Sequence, residues 1–258
     1  MANNEAYIVA AVRTPVGKRG GAFRHVRPDD MLAHVLREVV VRTPAVDAGE
    51  IGDVIVGCAF PEAEQGLNVA RVALLLAGLP SRVPGMTINR FCSSGLQAVA
   101  LAADRIRAGE AEVMIAGGTE SMTVMPQMMG NKVSISPAVF EKEENYAIAF
   151  GMGITAEKVA ERWKVSREDQ DAFALKSHHR AVAAIREGKF ADEIAPYTAR
   201  LHVPGEDGVV RIVEKLIDTD EGPRADTSIE ALTRLRPAFA AKGSVTGGNS
   251  SQMSDGAA

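Results

Sequence analysis

The stretch Gly85–Ser121, GMTINRFCSSGLQAVALAADRIRAGEAEVMIAGGTES, decides the fold. It opens on a short extended apolar run, GMTINRF. It passes through one of the chain's two cysteines, Cys92, into a helical pattern that closes at Gly109. It ends on AEVMIAGGTES, a continuous apolar strand running into glycines. Strand, helix and strand in this order, with an apolar run too continuous for a half-exposed sheet, predict parallel strands covered by helices. On the helix, Leu96, Val99, Ala103 and Ile106 form the expected apolar face.

The same order recurs upstream. IGDVIVGCAF reads as a buried strand and GLNVARVALLLAGL as a helix stopped by Gly78 and Pro80. After Pro28, the residues Met31, Leu32, Val35, Leu36, Val39 and Val40 line one helical face. The opening run Ala6–Val12 reads as a further strand ending in the loop RTPVGKRGGAF. The expected class is α/β, a mainly parallel sheet with helices on both faces. Past Ser121 the periodicity lapses into a Met-, Gly- and Pro-rich inserted lobe. Within it, SREDQDAFALKSHHRAVAAIREGKF predicts a long helix capped by Ser166 and Asp169 and stopped at Gly188, and TSIEALTRL a short one. The expected division is an α/β domain over 1–120, an insertion over 121–245 and a return over 246–258.

A composition of 46% hydrophobic and 24% charged residues suits a globular chain with a sizeable core. A net charge of -4 supplies no basic field for nucleic acid. Two cysteines make neither a disulfide framework nor a metal cluster and suit a reducing compartment, so the expected location is cytoplasmic. No run approaches membrane-spanning length, and no signal-peptide pattern opens the chain.

Cys92 follows a strand and opens a helix, where unpaired N–H groups and the helix dipole favour a thiolate. Small neighbours, Ser93, Ser94 and Gly95, would admit a substrate carbonyl. Position alone leaves nucleophile and packing residue both open. Cys58 lacks a helix start and reads as structural. Ser93 and Ser94 lack the glycine that a G-x-S-x-G elbow needs. His25 and His202 fall in expected loops, and His34, His178 and His179 in helices. None sits in a motif, and each reads as a surface or packing residue.

NRFCSSGLQAVA resembles the nucleophile signature of thiolases. GGTESMTVMPQMMGNKV, GMGITAEKVAERWKVSREDQDAFAL and LRPAFAAKGSVTGGNSSQMSDGAA follow in that family's order. The resemblance, closest to degradative 3-ketoacyl-CoA thiolases of lipid β-oxidation, covers essentially the whole chain. It implies a Cys92 acyl-enzyme in 3-ketoacyl-CoA cleavage or the reverse condensation. Coenzyme A would be a co-substrate, with no metal or other cofactor. It further implies CoA contacts at Arg224, Ser251 and Met152, and a homo-oligomer, dimer or tetramer. Gly151 stands where biosynthetic members carry a histidine. Family chains continue past DGAA into a second half holding a G-H-P histidine and a C-x-G-G-G cysteine. The resemblance therefore implies that the C-terminal half of the fold, with its base and acid, is missing from this sequence and that the isolated chain is incomplete. The alternatives are a noncatalytic CoA-binding or dimerising module, and a condensing enzyme resembling a ketoacyl synthase, which the ESM and NSSQMSDGAA blocks disfavour.

Overall fold

A computed structural model describes residues 4–124 and 135–258. Positions 125–134, within the GGTESMTVMPQMMGNKV block, lie outside the described residues. The chain divides into two compact units. The first takes the described residues up to 124, Phe190–Gly222 and Met253–Ala258; the second takes 135–189 and Pro223–Gln252.

The first unit is built on a five-stranded sheet. In chain order its elements are β1 (Gly17–Lys18), α1 (Pro28–Val41), β2 (Ile51–Gly57), α2 (Val69–Leu76), β3 (Gly85–Ile88), α3 (Ser94–Arg107) and β4 (Val113–Ser121). The second unit contributes α4 (Met152–Trp163) and α5 (Arg167–Arg186). The chain then returns to the first unit for the hairpin β5 (Tyr197–Pro204) and β6 (Val210–Ile217), crosses once more for α6 (Ile229–Thr233), and ends in the sheet as β7 (Ser254–Ala257). The strand order is β1-β7-β4-β2-β3. The central strands β3, β2 and β4 are parallel, with Gly57 opposite both Ile88 and Gly118, while β7 and β1 run antiparallel at one edge.

Strand β2 is buried on both faces, as its unbroken apolar run requires. Val54 and Val56 face a core shared with Met31, Leu32, Val35 and Leu36 of α1 and Ala70, Ala73 and Leu74 of α2. Ile55 faces the other way, against Ala98 and Ala102 of α3. Helices thus cover both faces, as the β-α alternation predicts. Gly78, at φ +83, ends α2 as its sequence position suggests.

Four expectations change. The face Leu96–Val99–Ala103–Ile106 of α3 is not its packed face. Leu96 is 75% exposed, and Ser94, Ala98 and Ala102 turn inward. A Cβ placed on Gly57 would lie 2.5 Å from the Ser94 carbonyl carbon, so the helix sits too close to the sheet for larger side chains. The run Ala6–Val12 is extended but joins no ladder, and Tyr7, Ile8 and Val9 are exposed. Pairing begins only at Arg13, which bridges Ile194.

The insertion is also not continuous over 121–245, because 190–222 packs with the first unit. Arg13 binds Glu193 at 2.7 Å and Asp220 at 2.7 Å, and Asp220 accepts the Val16 N–H at 2.8 Å. Tyr197 meets Phe23 edge to face. The β5–β6 hairpin in this segment places His202 on a strand rather than in a loop.

Asp220→Ala should leave the half-buried Arg13 guanidinium and the Val16 N–H short of partners. The expected loss is about 2 kcal/mol of stability. Urea unfolding checks it, and a double-mutant cycle with Arg13→Ala should show coupling between the two positions.

Candidate active site

The parallel strands β2, β3 and β4 end at one edge of the sheet, where open α/β sheets place their ligand crevices. Both cysteines stand there. Cys58 follows β2 directly and is buried. Cys92 lies four residues past β3 and is exposed. Burial, reinforced by the Glu120 carboxylate, pushes the Cys58 thiol up to about 12, which makes it inert. The expectation that Cys58 packs and Cys92 is the reachable thiol follows from this difference in exposure.

The turn carrying Cys92 is tightly specified. Phe91 takes φ +47, a left-handed conformation that costs a non-glycine residue on the order of 1 kcal/mol. Hydrogen bonds on both sides hold it there. The Phe91 N–H donates to Asn89 Oδ1 at 2.8 Å. The Phe91 carbonyl accepts the Ser94 N–H at 3.0 Å and the Ser94 hydroxyl at 2.6 Å. Ser94 Oγ also accepts the Arg90 N–H at 2.8 Å, and the Ser93 hydroxyl donates to the Arg90 carbonyl at 3.0 Å. Both serine hydroxyls are therefore engaged in the turn, while the Cys92 thiol makes no hydrogen bond among the described residues. Helix α3 begins at Ser94 with Ser93 as its N-cap, so Cys92 precedes the first turn rather than lying in it. The N–H groups of Gly95 and Leu96 have no partner among the described residues. Free N–H groups at a helix start beside a thiol can take up charge developing on a carbonyl oxygen.

Arg224, Ser251 and Met152 all belong to the second unit. Met152 is the first residue of α4, after Gly151 as N-cap, and is exposed. Arg224 presents an exposed guanidinium, and its backbone N–H donates to His178 Nδ1 at 3.1 Å. Ser251 is exposed on the segment leading into β7. These three residues share no hydrogen bond or ion pair with one another among the described contacts. A shallow groove of ≈ 550 Å³ lies in the same unit between α5 and α6, lined by Leu175, Lys176, His179, Arg180 and Ile229 among others. Among the described residues no group of three or more His, Cys, Asp or Glu side chains could hold a metal ion. Among the described residues no helix is long and apolar enough to cross a membrane.

The segment approaching Ser251 is held by two carboxylates that sequence reading passed over. Glu157 of α4 accepts the Ser244 N–H at 2.9 Å and the Val245 N–H at 2.9 Å. Asp171 of α5 accepts the Asn249 amide at 2.9 Å and pairs with Arg167 at 2.7 Å. Near the thiol the overlooked residues are Asn89, Gln65 and Glu120. For Asn89 and Glu120 the available signal was their place inside the NRFCSSG and GGTES blocks.

Comparisons with known proteins identify the family. The family model described as thiolase, N-terminal domain, matches residues 6–258. The chain belongs to the thiolase family. It is 50% identical over 255 residues to a 3-ketoacyl-CoA thiolase of Bacillus subtilis, covering 98% of this chain and 64% of that protein. It is 44% identical to a β-ketoadipyl-CoA thiolase of Pseudomonas aeruginosa, covering 99% of this chain and 65% of that one. A solved acetyl-CoA acetyltransferase of Bacillus anthracis matches at 39% identity with a TM-score of 0.83, over 99% of this chain and 65% of that one. The chain thus spans about two thirds of the length of these thiolases.

Two outcomes follow from the geometry of the thiolase chain. Iodoacetamide near neutral pH should label Cys92 and spare Cys58 until denaturant is added, as read by peptide mass spectrometry; equal labelling would contradict the difference in burial. Desolvation pushes the Glu157 carboxyl up, but the Ser244 and Val245 donors outweigh it and leave it below its ordinary value near 4.5. A carboxyl whose folded value is depressed stabilises the fold above the unfolded value, and this contribution is lost as pH falls through the folded value. Glu157→Gln should therefore flatten the acid limb of a urea-midpoint profile measured from about pH 7 to about pH 3.

Proposed function

We propose that this thiolase chain carries the nucleophile of an acyltransferase acting on 3-ketoacyl-CoA thioesters. The observation that carries the reading is the exposed Cys92 thiol on a hydrogen-bonded turn at the carboxyl edge of the parallel strands, in the NRFCSSG block of a thiolase N-terminal domain. Cys92 Sγ attacks the 3-keto carbon. The bond between C2 and C3 breaks, its electron pair leaves with the acetyl-CoA enolate, and that enolate takes up a proton. The acyl group stays on Cys92 as a thioester. The thiol of a second CoA then attacks this thioester, releases acyl-CoA and returns the Cys92 sulfur. N–H groups at the start of α3 are the candidate donors to the thioester oxygen.

Within this reading, Arg224, Ser251 and Met152 of the second unit are the CoA contacts. A guanidinium suits stacking over a purine, and a small hydroxyl suits an amide of the pantetheine arm. Coenzyme A is a co-substrate, and the chemistry calls for no metal. The names of the relatives span 3-ketoacyl-CoA and β-ketoadipyl-CoA thiolases, which supports a 3-oxoacyl thioester as the substrate class. Of these we favour a 3-ketoacyl-CoA without the terminal carboxylate of the β-ketoadipyl group, in keeping with the 50% identical relative. The expected setting is cytoplasmic acyl-chain breakdown by a homo-oligomer.

Incubation with acetoacetyl-CoA should leave an acetyl group on the Cys92 peptide, detected by mass spectrometry. Cys92→Ala should abolish it, and added CoA should discharge it. Comparing acetoacetyl-CoA, a longer 3-ketoacyl-CoA and 3-oxoadipyl-CoA as donors reads out substrate preference. CoA binding by calorimetry with no adduct from any donor would instead favour a noncatalytic CoA-binding module.

A further inference from the structure

Glu120 poses a chemical question that the nucleophile alone does not answer. It lies near the end of β4, and burial pushes its carboxyl above the usual carboxylate range. Both of its oxygens nonetheless accept hydrogen bonds. Oε2 accepts the Ala59 N–H at 2.7 Å, and Oε1 accepts from the Gln65 side-chain amide. Gln65 is completely buried and cannot rotate freely. Its amide also donates to the Phe60 carbonyl at 2.8 Å, and its own Oε1 accepts the Ser121 N–H at 3.2 Å.

From Ala59 the connection runs straight to the cysteine turn. The Ala59 carbonyl accepts Asn89 Nδ2 at 2.9 Å, and the other end of that amide, Oδ1, accepts the Phe91 N–H at 2.8 Å. The Phe60 ring packs on the Phe91 ring, with centroids 6.4 Å apart. A side chain on β4 thus fixes the N–H of Ala59, Asn89 fixes its carbonyl, and the same asparagine holds Phe91 in its left-handed conformation next to Cys92.

We propose that Glu120 is a positioning residue for Cys92, acting through Ala59 and Asn89 to hold the left-handed turn at Phe91 that aims the thiol. The proposal rests on the reading of Cys92 as the nucleophile. Glu120 touches no substrate; it sets the orientation of a group that does. Gln65 explains why a carboxylate is needed. With the Gln65 amide and the Ala59 N–H both donating, position 120 must accept on both oxygens, and a glutamine there would set its NH₂ against one of these two donors. A held nucleophile reacts faster than a wandering one, and misplacement by about 1 Å can cost on the order of a hundred-fold.

The test compares Glu120→Gln, Asn89→Asp and the double variant with the unaltered chain. Asn89→Asp keeps the acceptor for the Phe91 N–H and removes the donor to Ala59. Two rates are read at Cys92: alkylation by iodoacetamide, and acetyl transfer from acetoacetyl-CoA as a function of its concentration. Labelling of buried Cys58 is followed in the same samples as a report on the fold.

With Cys58 still protected, each single variant should slow the Cys92 reactions by on the order of ten-fold at saturating acetoacetyl-CoA, with its half-saturating concentration unchanged. The double variant should be no slower than the slower single one, because both act through Ala59. Unchanged Cys92 rates in Glu120→Gln with Cys58 protected would overturn the proposal. So would slowing that simply multiplies in the double variant. If Glu120→Gln exposes Cys58, Asn89→Asp decides alone, and unchanged rates there overturn the proposal equally. Failure of the unaltered chain to take an acetyl group would count against the acyl-transfer reading only, since the alkylation rates still report whether Glu120 aims the thiol.

Discussion

The close approach of α3 to the sheet governs the first unit. Gly57 faces Ser94 and Gly95 with no room for a Cβ, and Gly118, opposite Gly57 on the neighbouring strand, comes near Gly95 as well. With the helix pressed this close, the small residues Ser94, Ala98 and Ala102 lie beneath it with Leu101 partly buried at the side, and the larger Leu96 and Val99 turn outward. The same approach brings the start of α3 down to the ends of the parallel strands. The chain must then leave β3 and enter the helix within five residues, which demands the bent backbone at Phe91 and places Cys92 on the outside of the bend.

Polar side chains then fix what the sheet leaves loose. Asp255 of β7 accepts the Ser121 hydroxyl at 3.0 Å and the Thr123 N–H at 2.9 Å, tying the end of β4 to the last strand. Arg13, Glu193 and Asp220 do the same for the returning 190–222 segment, and Glu157 and Asp171 for the loop before Ser251. Asp255, Asp220 and Glu157 accept backbone N–H groups that have no ladder or helix partner, whereas Glu193 and Asp171 bond to side chains. Leaving such N–H groups bare in a partly buried setting costs more than the ordering of one carboxylate.

The two cysteines show how much environment decides. Both lie at the same sheet edge, yet one is sealed beside a carboxylate and the other stands on an exposed turn. Only one of the two sulfurs at the strand ends is thereby open to solvent, and the neighbouring serines spend their hydroxyls on holding the turn.

Periodicity along the chain sufficed for α1, α2, β2 and β4, and the Ser166 cap and the Gly188 stop for α5. Glycines at 78, 109 and 188 mark helix ends because each takes a positive φ. The four motif blocks sufficed for the family. Local pattern failed wherever a partner distant in sequence decides. The inward face of α3 depends on Gly57, a residue of another element. Ala6–Val12 has the composition of a strand, but a strand exists only with a neighbour to pair with, and among the described residues this run pairs with none. The β5–β6 hairpin carries exposed apolar residues on β6 and only Ile217 buried there, so its alternation was masked. Glu120 meets Ala59 across 61 positions and Asn89 meets Ala59 across 30. Residue types and spacing could name the thiol, but only the folded chain, by bringing β4, the loop after β2 and the turn after β3 to one sheet edge, determines what holds it in place.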